Sequence, residues 1–170
     1  MTCQSCGAAM RLEEGKDYLV CEFCKAIFIP EPNADGVRLL EETASLNCPV
    51  CRVPLVQAAA GPVRLLCCER CRGLLVSMDM FVGLVQHLRA QPDRPSGEPK
   101  QPDPRDLERR IRCPQCGETL DTHFYAGPGN VVIDNCARCR LNWLDHSELS
   151  RIVSAPDRQY NDEGWVPPDE

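Results

Sequence analysis

Twelve of the thirteen cysteines stand in six Cys-x2-Cys pairs: Cys3 and Cys6, Cys21 and Cys24, Cys48 and Cys51, Cys68 and Cys71, Cys113 and Cys116, Cys136 and Cys139. A tight turn can aim both sulfurs of such a pair at one ion, and two pairs supply the four thiolates of a closed tetrahedral site. The gaps decide which pairs belong together. Within the sets so formed 14, 16 and 19 residues separate the two pairs, whereas 23 and 41 residues separate one set from the next. This is two-pair zinc spacing repeated three times. It predicts a small, metal-stabilised, β-rich fold of three tandem zinc ribbons with short helices and flexible linkers, holding three zinc ions. A disulfide framework is the competing scheme, but an odd cysteine count leaves one thiol over.

Composition points the same way. With only 9 aromatic residues and 15 prolines, one large apolar core is not expected. Modules of roughly 30 to 45 residues are near the size at which a core alone fails, and zinc worth roughly 10–16 kcal/mol per site supplies the missing folding energy. No run approaches roughly 18 apolar residues, and no charged start followed by an apolar run opens the chain, so a soluble cytoplasmic protein with no membrane partner is expected. The formal charge of -6 falls to about -12 if each of three four-thiolate zinc sites carries -2, which gives no general attraction to nucleic acid.

Strand-like runs flank turn residues inside each set. Met10, Leu12, Tyr18 and Val20 surround Glu14, Gly15, Lys16 and Asp17; Val53 to Val56 and Val63 to Leu66 surround Gly61 and Pro62; Thr119 to Tyr125 and Val131 to Ile133 surround Gly127, Pro128, Gly129 and Asn130. Third strands are predicted at Ala26 to Ile29, Leu74 to Val76 and Leu141 to Leu144. The resulting division is a first ribbon at 1–30, an acidic linker with a helix at 31–46, a second ribbon plus helix at 47–90, a proline-rich linker at 91–106, a third ribbon plus short helix at 107–155, and an acidic disordered tail at 156–170. The linker helix rests on Val37, Leu40 and Ala44 at helical spacing, and the helix of the second ribbon, Met78 to Ala90, on a stripe of Phe81, Leu84, Val85 and Leu88. Five prolines between 92 and 104 predict an extended, mobile tether for the third ribbon.

Gly7 and Gly117 follow a pair where a knuckle needs a left-handed backbone, and Pro49 and Pro114 preset the turn inside one. Arg52 stands where glycine is expected, so strain is predicted in that knuckle. The segment Cys113-Pro114-Gln115-Cys116, then Val132-Ile133-Asp134, then Cys136 and Cys139 followed by Trp143-Leu144-Asp145 and Glu148-Leu149 resembles the zinc-ribbon family named for its similarity to the ribbon of transcription factor IIB. Leu141 replaces that family's usual glycine. The second set keeps the cysteines, Pro49 and Gly73, but carries Leu75, Ser77 and Met80 where the family favours tryptophan, aspartate and glutamate. The resemblance implies a ribbon fold around zinc and a connection to transcription by shape. Independently of it, Asp145 and Glu148 are spaced as a capping box for a helix starting at His146, with Trp143 over the metal site.

Three features compete for a sharper role. His87, His123 and His146 are zinc-competent, but twelve cysteines already fill three sites. Cys67 breaks the knuckle spacing and is expected to be a packed thiol. Arg64, Arg70 and Arg72 belong to a second ribbon with five arginines against two acids, and on one face they would offer phosphates or an acidic partner a contact. No phosphate loop, nucleophile elbow or open three-ligand zinc site is present, so no enzymatic activity is expected. The function expected is non-catalytic zinc binding that presents ribbons to a macromolecule, a protein before a specific nucleic acid. A thiol redox sensor that releases zinc on oxidation is the alternative, and rubredoxin-like iron chemistry a third option, disfavoured by Lys25, Arg72 and Arg140 where glycine would follow each second pair.

Overall fold

The computed structural model describes residues 1–13, 16–92, 104–126 and 130–155, together with 160–161 and 164–165. The first ribbon forms a three-stranded antiparallel sheet of β1 (Met10–Leu12), β2 (Leu19–Cys21) and β3 (Ile27–Phe28), in that order, with Val20 between Arg11 and Ile27. Among its described residues only Leu19, Cys3 and Cys21 are buried hydrophobics, too little to hold thirty residues without metal. The predicted turn residues Glu14 and Gly15 lie outside the described residues, as do Gly127, Pro128 and Gly129.

A correction concerns 31–46, where no helix forms. Asn33 Oδ1 accepts hydrogen bonds from the Asp35 and Val37 amides, at 2.9 and 3.0 Å, and sets a turn through Gly36 at φ 76°. The chain then runs as β4 (Arg38–Asn47) along the edge of β5 (Pro54–Ala60), with the ladder interrupted between Leu39 and Thr43 and again between Thr43 and Asn47. Each irregularity shifts which face the following side chains meet. Buried Leu40 and packed Ala44 fall at a spacing of four, which is two strand periods as well as about one helical turn, so the sequence imitates a helix.

From β5 the sheet continues through β6 (Val63–Cys67) and β7 (Leu74–Ser77), and α1 (Met78–Arg89) follows at once, capped by Ser77, whose Oγ accepts from the Asp79 amide at 3.3 Å. After α2 (Pro104–Glu108) come β8 (Asp121–Phe124), β9 (Val132–Cys136), β10 (Leu141–Leu144) and α3 (Glu148–Ser154). The second and third ribbons form a single antiparallel sheet of seven strands in the order β4-β5-β6-β7-β10-β9-β8. The loosely tethered third ribbon is thus also corrected. Its centre is the β7–β10 pair, in which Leu75 faces Trp143. Both stand four residues after the last cysteine of their ribbon, so equivalent positions oppose one another and the two ribbons are related by a pseudo-two-fold axis through that pair.

Alternation along the strands gives this sheet two faces. Val63, Leu65, Leu74, Val76 and Leu144 meet Phe81, Leu84 and Leu88 of α1 and Leu149, Ile152 and Val153 of α3 on one. Leu55, Leu75, Trp143, Leu120 and Ile111 form the other, together with cysteines of the second and third ribbons. Arg89 at the end of α1 donates to the carbonyls of Ile152 and Ala155 at 2.9 and 2.8 Å, closing the C-terminal end of α3 from the neighbouring ribbon. Residues 93–103 of the expected proline-rich tether lie outside the described residues. Its end is helical, beginning at Pro104, where a missing N–H costs nothing in the first turn. Most of the expected disordered tail is likewise outside the described residues, except that β11 (Tyr160–Asn161) pairs with β12 (Gly164–Trp165), a departure from disorder there. Among the described residues no helix is long and apolar enough to cross a membrane.

Candidate metal centres

The three predicted cysteine sets each converge. The sulfurs of Cys3, Cys6, Cys21 and Cys24, of Cys48, Cys51, Cys68 and Cys71, and of Cys113, Cys116, Cys136 and Cys139 lie within 4.8 Å of one another. Individual Sγ–Sγ separations are 3.6 Å for Cys3 and Cys24, 3.4 Å for Cys6 and Cys21, 3.6 Å for Cys48 and Cys71, and 3.6 Å for Cys116 and Cys136. Four sulfurs about 2.3 Å from a central zinc would sit about 3.8 Å apart along the tetrahedron's edges, so the sets are of the size zinc needs. His87, His123 and His146 belong to none of the three.

Backbone geometry explains how the sequence makes each set. In all six knuckles the residue after the second cysteine is left-handed: Gly7, Lys25, Arg52, Arg72, Gly117 and Arg140, with φ between 54° and 76°. Its amide closes the turn, as from Gly7 to the Cys3 carbonyl at 2.8 Å and from Arg52 to the Cys48 carbonyl at 3.0 Å. The strain expected of Arg52 is therefore shared with Lys25, Arg72 and Arg140, at roughly 1–2 kcal/mol for each non-glycine residue. The amides of Cys24, Cys51 and Cys139 point at the sulfurs of Cys21, Cys48 and Cys136, at 3.5, 3.2 and 3.4 Å. Such donors favour thiolate. The Cys24 amide holds the Cys21 thiol down at about 6, and the Ser5 and Glu118 amides lower those of Cys3 and Cys116.

Cys67 stands apart. It packs in the helix-side core with Leu65 and Leu74, and burial pushes its thiol up to about 12, so it is a neutral core residue beside the second site.

Trp143 is fully buried between the second and third sites, among Cys48, Cys68, Cys113 and Cys136. Its indole lies over Gly73, where a Cβ would stand 2.2 Å from Cζ2. The Asp145 carboxylate corrects the capping expectation. It accepts from Trp143 Nε1 at 3.0 Å and from Arg109, while α3 begins at Glu148 behind a left-handed Ser147 with no side-chain cap. Half of the capping box survives, since Glu148 Oε2 accepts from the Asp145 amide at 2.6 Å. Burial raises the Glu148 carboxyl to about 8.

The residue that the sequence did not single out is Arg109. Its guanidinium joins Asp145 to Asp134, whose side chain is 2% exposed and also accepts from Thr122 Oγ1. The signal available was two acids in otherwise apolar strand ends, Val132-Ile133-Asp134 and Trp143-Leu144-Asp145, which require a cation from elsewhere. The arginine group expected on the second ribbon is broken up. Arg64 turns to the first ribbon and donates to the Glu13 carbonyl at 3.2 Å, leaving Arg70 and Arg72 exposed. Arg140 pairs with Asp79 across the β7–β10 junction.

Closed four-thiolate sites on short β-hairpins define a zinc-ribbon protein with three zinc ions. Residues 112–155, about a quarter of the chain, match the TFIIB-type zinc-ribbon family described as a transcription factor zinc-finger, the family that the third ribbon resembles. No curated protein and no solved structure matches the chain.

Proposed function

We propose that the protein is a non-catalytic zinc-ribbon scaffold whose first ribbon docks a protein partner. The observation that carries this is the outer surface of that ribbon, where Phe23 at its knuckle is 80% exposed and Ile27 and Ile29 are 61% and 56% exposed. Ile27 lies beside its cross-strand partner Val20 on the same side of the sheet. A small ribbon that leaves three large apolar side chains in solvent offers the aromatic and aliphatic contacts that form the centre of protein interfaces. Among the described residues β3 is an edge strand of this sheet, while β1 at the other edge is met in part by the N-terminal residues, the Met10 amide donating to the Met1 carbonyl at 3.2 Å. Four thiolates per zinc leave no open coordination position, which supports a structural role for the metal rather than catalysis at it. A role in transcription is the narrower form of this reading and rests on the family description of residues 112–155.

The test is affinity purification of the zinc-loaded chain from cells that make it, with crosslinking to locate the contact. The double variant Phe23→Glu, Ile27→Glu should keep three zinc ions and lose the partner. Binding to random duplex DNA at micromolar concentration, weakened by salt and by changing Arg70 and Arg72, would refute the protein-partner reading.

A further inference from the structure

The three centres differ in what covers them. In the second and third, the less buried cysteines Cys51, Cys71, Cys116 and Cys139 still pack against the apolar face built on Leu75 and Trp143. In the first, Cys6 and Cys24 are exposed, and none of its four cysteines belongs to either hydrophobic core. Phe23, the one large apolar residue in its knuckles, points away into solvent. Cys6 and Cys24 Sγ are 3.5 Å apart and face each other on the open side of the set. A disulfide needs them to close to about 2.05 Å, a shift of about 1.5 Å at two exposed side chains.

We propose that the first centre is an oxidation site at which a peroxide converts Cys6 and Cys24 to a disulfide and expels its zinc, while the second and third centres keep theirs. One thiolate attacks a peroxide oxygen, the O–O bond breaks, and a sulfenic acid and hydroxide result. The second thiolate then attacks the sulfenic sulfur, forming the S–S bond and releasing a second hydroxide. Two solvent protons convert the hydroxides to water. Two cysteine sulfurs are oxidised by two electrons in all, and the peroxide is reduced by two. Cys3 and Cys21 remain, and two sulfurs do not make a closed zinc site. Because the first ribbon has almost no core, losing its metal unfolds it and dismantles the sheet that presents Phe23 and Ile27. Access selects the site: Cys67 is buried in the helix-side core, and the other centres are screened by packed side chains.

The experiment uses the full zinc-loaded chain, dilute hydrogen peroxide, a chromophoric zinc indicator, and timed alkylation followed by peptide mass spectrometry. The expected result is a first phase releasing about one zinc per chain, about tenfold faster than the rest, since exchange and oxidation rates follow thiolate access. The first linked peptides should join Cys6 to Cys24, and a thiol reductant with added zinc should restore the starting stoichiometry. Release of three zinc ions in one phase, a first disulfide that omits Cys6 or Cys24, or no release while free cysteine is oxidised would each overturn the proposal. The readouts are zinc and thiols alone, so failure here leaves the partner reading standing, and failure of that reading leaves this result interpretable.

Discussion

Replacing Gly73 by alanine should be among the most damaging single-methyl changes in this chain, and the reason is one indole ring. The added Cβ would stand 2.2 Å from Trp143 Cζ2 and 2.6 Å from Cη2, against a normal carbon–carbon contact of about 3.5–4.0 Å. The ring cannot step aside. Its Nε1 is bonded to Asp145, its backbone is laddered to Leu75 on one side and Asp134 on the other, and it is fully buried. Overpacking of this kind costs roughly 1–3 kcal/mol, and an overlap of more than 1 Å against a rigid ring belongs at the top of that range. For a chain of this length that corresponds to roughly 5–10 °C in melting temperature. The assay is denaturant unfolding of the zinc-loaded protein, followed by circular dichroism and zinc release, as a double-mutant cycle with Trp143→Phe. Phenylalanine lacks Cζ2 and Cη2 of the indole, so in that background Gly73→Ala should turn from damaging to neutral or stabilising by about 0.4–1 kcal/mol, the usual gain from restricting the unfolded chain. Additive effects, with a coupling below about 0.5 kcal/mol, would refute the idea that Trp143 locks the two ribbons through Gly73.

Arg109→Ala should destabilise the joined ribbons by about 3 kcal/mol, at the lower end for a broken buried pair because the guanidinium is 29% exposed; Arg109→Ala with Asp134→Asn should recover part of the loss in chemical denaturation. Glu148 binds its proton more tightly folded than unfolded, so stability should fall as pH rises towards about 8, by about 2 kcal/mol between about pH 6.5 and 8.5, and Glu148→Gln should flatten that slope. An unchanged slope in the glutamine variant would reject the assignment. Cys67→Ala should retain three zinc ions by metal analysis, whereas Cys68→Ala should lose the second one, and equal loss in both would show that Cys67 is a ligand.

The three converging cysteine sets were legible because a knuckle of this kind is local in sequence: each needs only four or five consecutive residues, and the backbone of Cys48 to Arg52 does the same thing as that of Cys3 to Gly7. Strand β10 at Leu141–Leu144 and helix α1 were legible for the same reason, the first as a short apolar run after the last cysteine pair and the second from the helical spacing of Phe81, Leu84, Val85 and Leu88. What was not legible depends on pairing across long separations. Residues 38–47 take strand geometry because they pair along the edge of β5, and the consecutive inward residues Leu39 and Leu40 break the alternation that would have announced it. Asp145 looks like a helix cap from its neighbours alone, yet Arg109, 36 residues away, and the Trp143 indole take its carboxylate first. Arg64 was grouped with Arg70 and Arg72 by proximity in the chain, but the backbone of Glu13 is the partner it meets in the fold.

The opposition of Leu75 and Trp143 on the pseudo-two-fold axis also governs which assemblies this chain can enter. The small residue that accommodates the indole sits on one ribbon, at Gly73, and the indole on the other; the third ribbon has Leu141 at the matching place. Two third ribbons brought together in the same way would drive each tryptophan into a leucine, and two second ribbons would set leucine opposite glycine and leave a void. Like halves therefore reject one another, and only unlike halves fit. The remaining alternative is reciprocal exchange, in which the second ribbon of one molecule takes the third ribbon of another. Connection through the short stretch between α1 and α2 sets the local concentration of the proper half in the millimolar range, so swapped dimers should be confined to very concentrated protein.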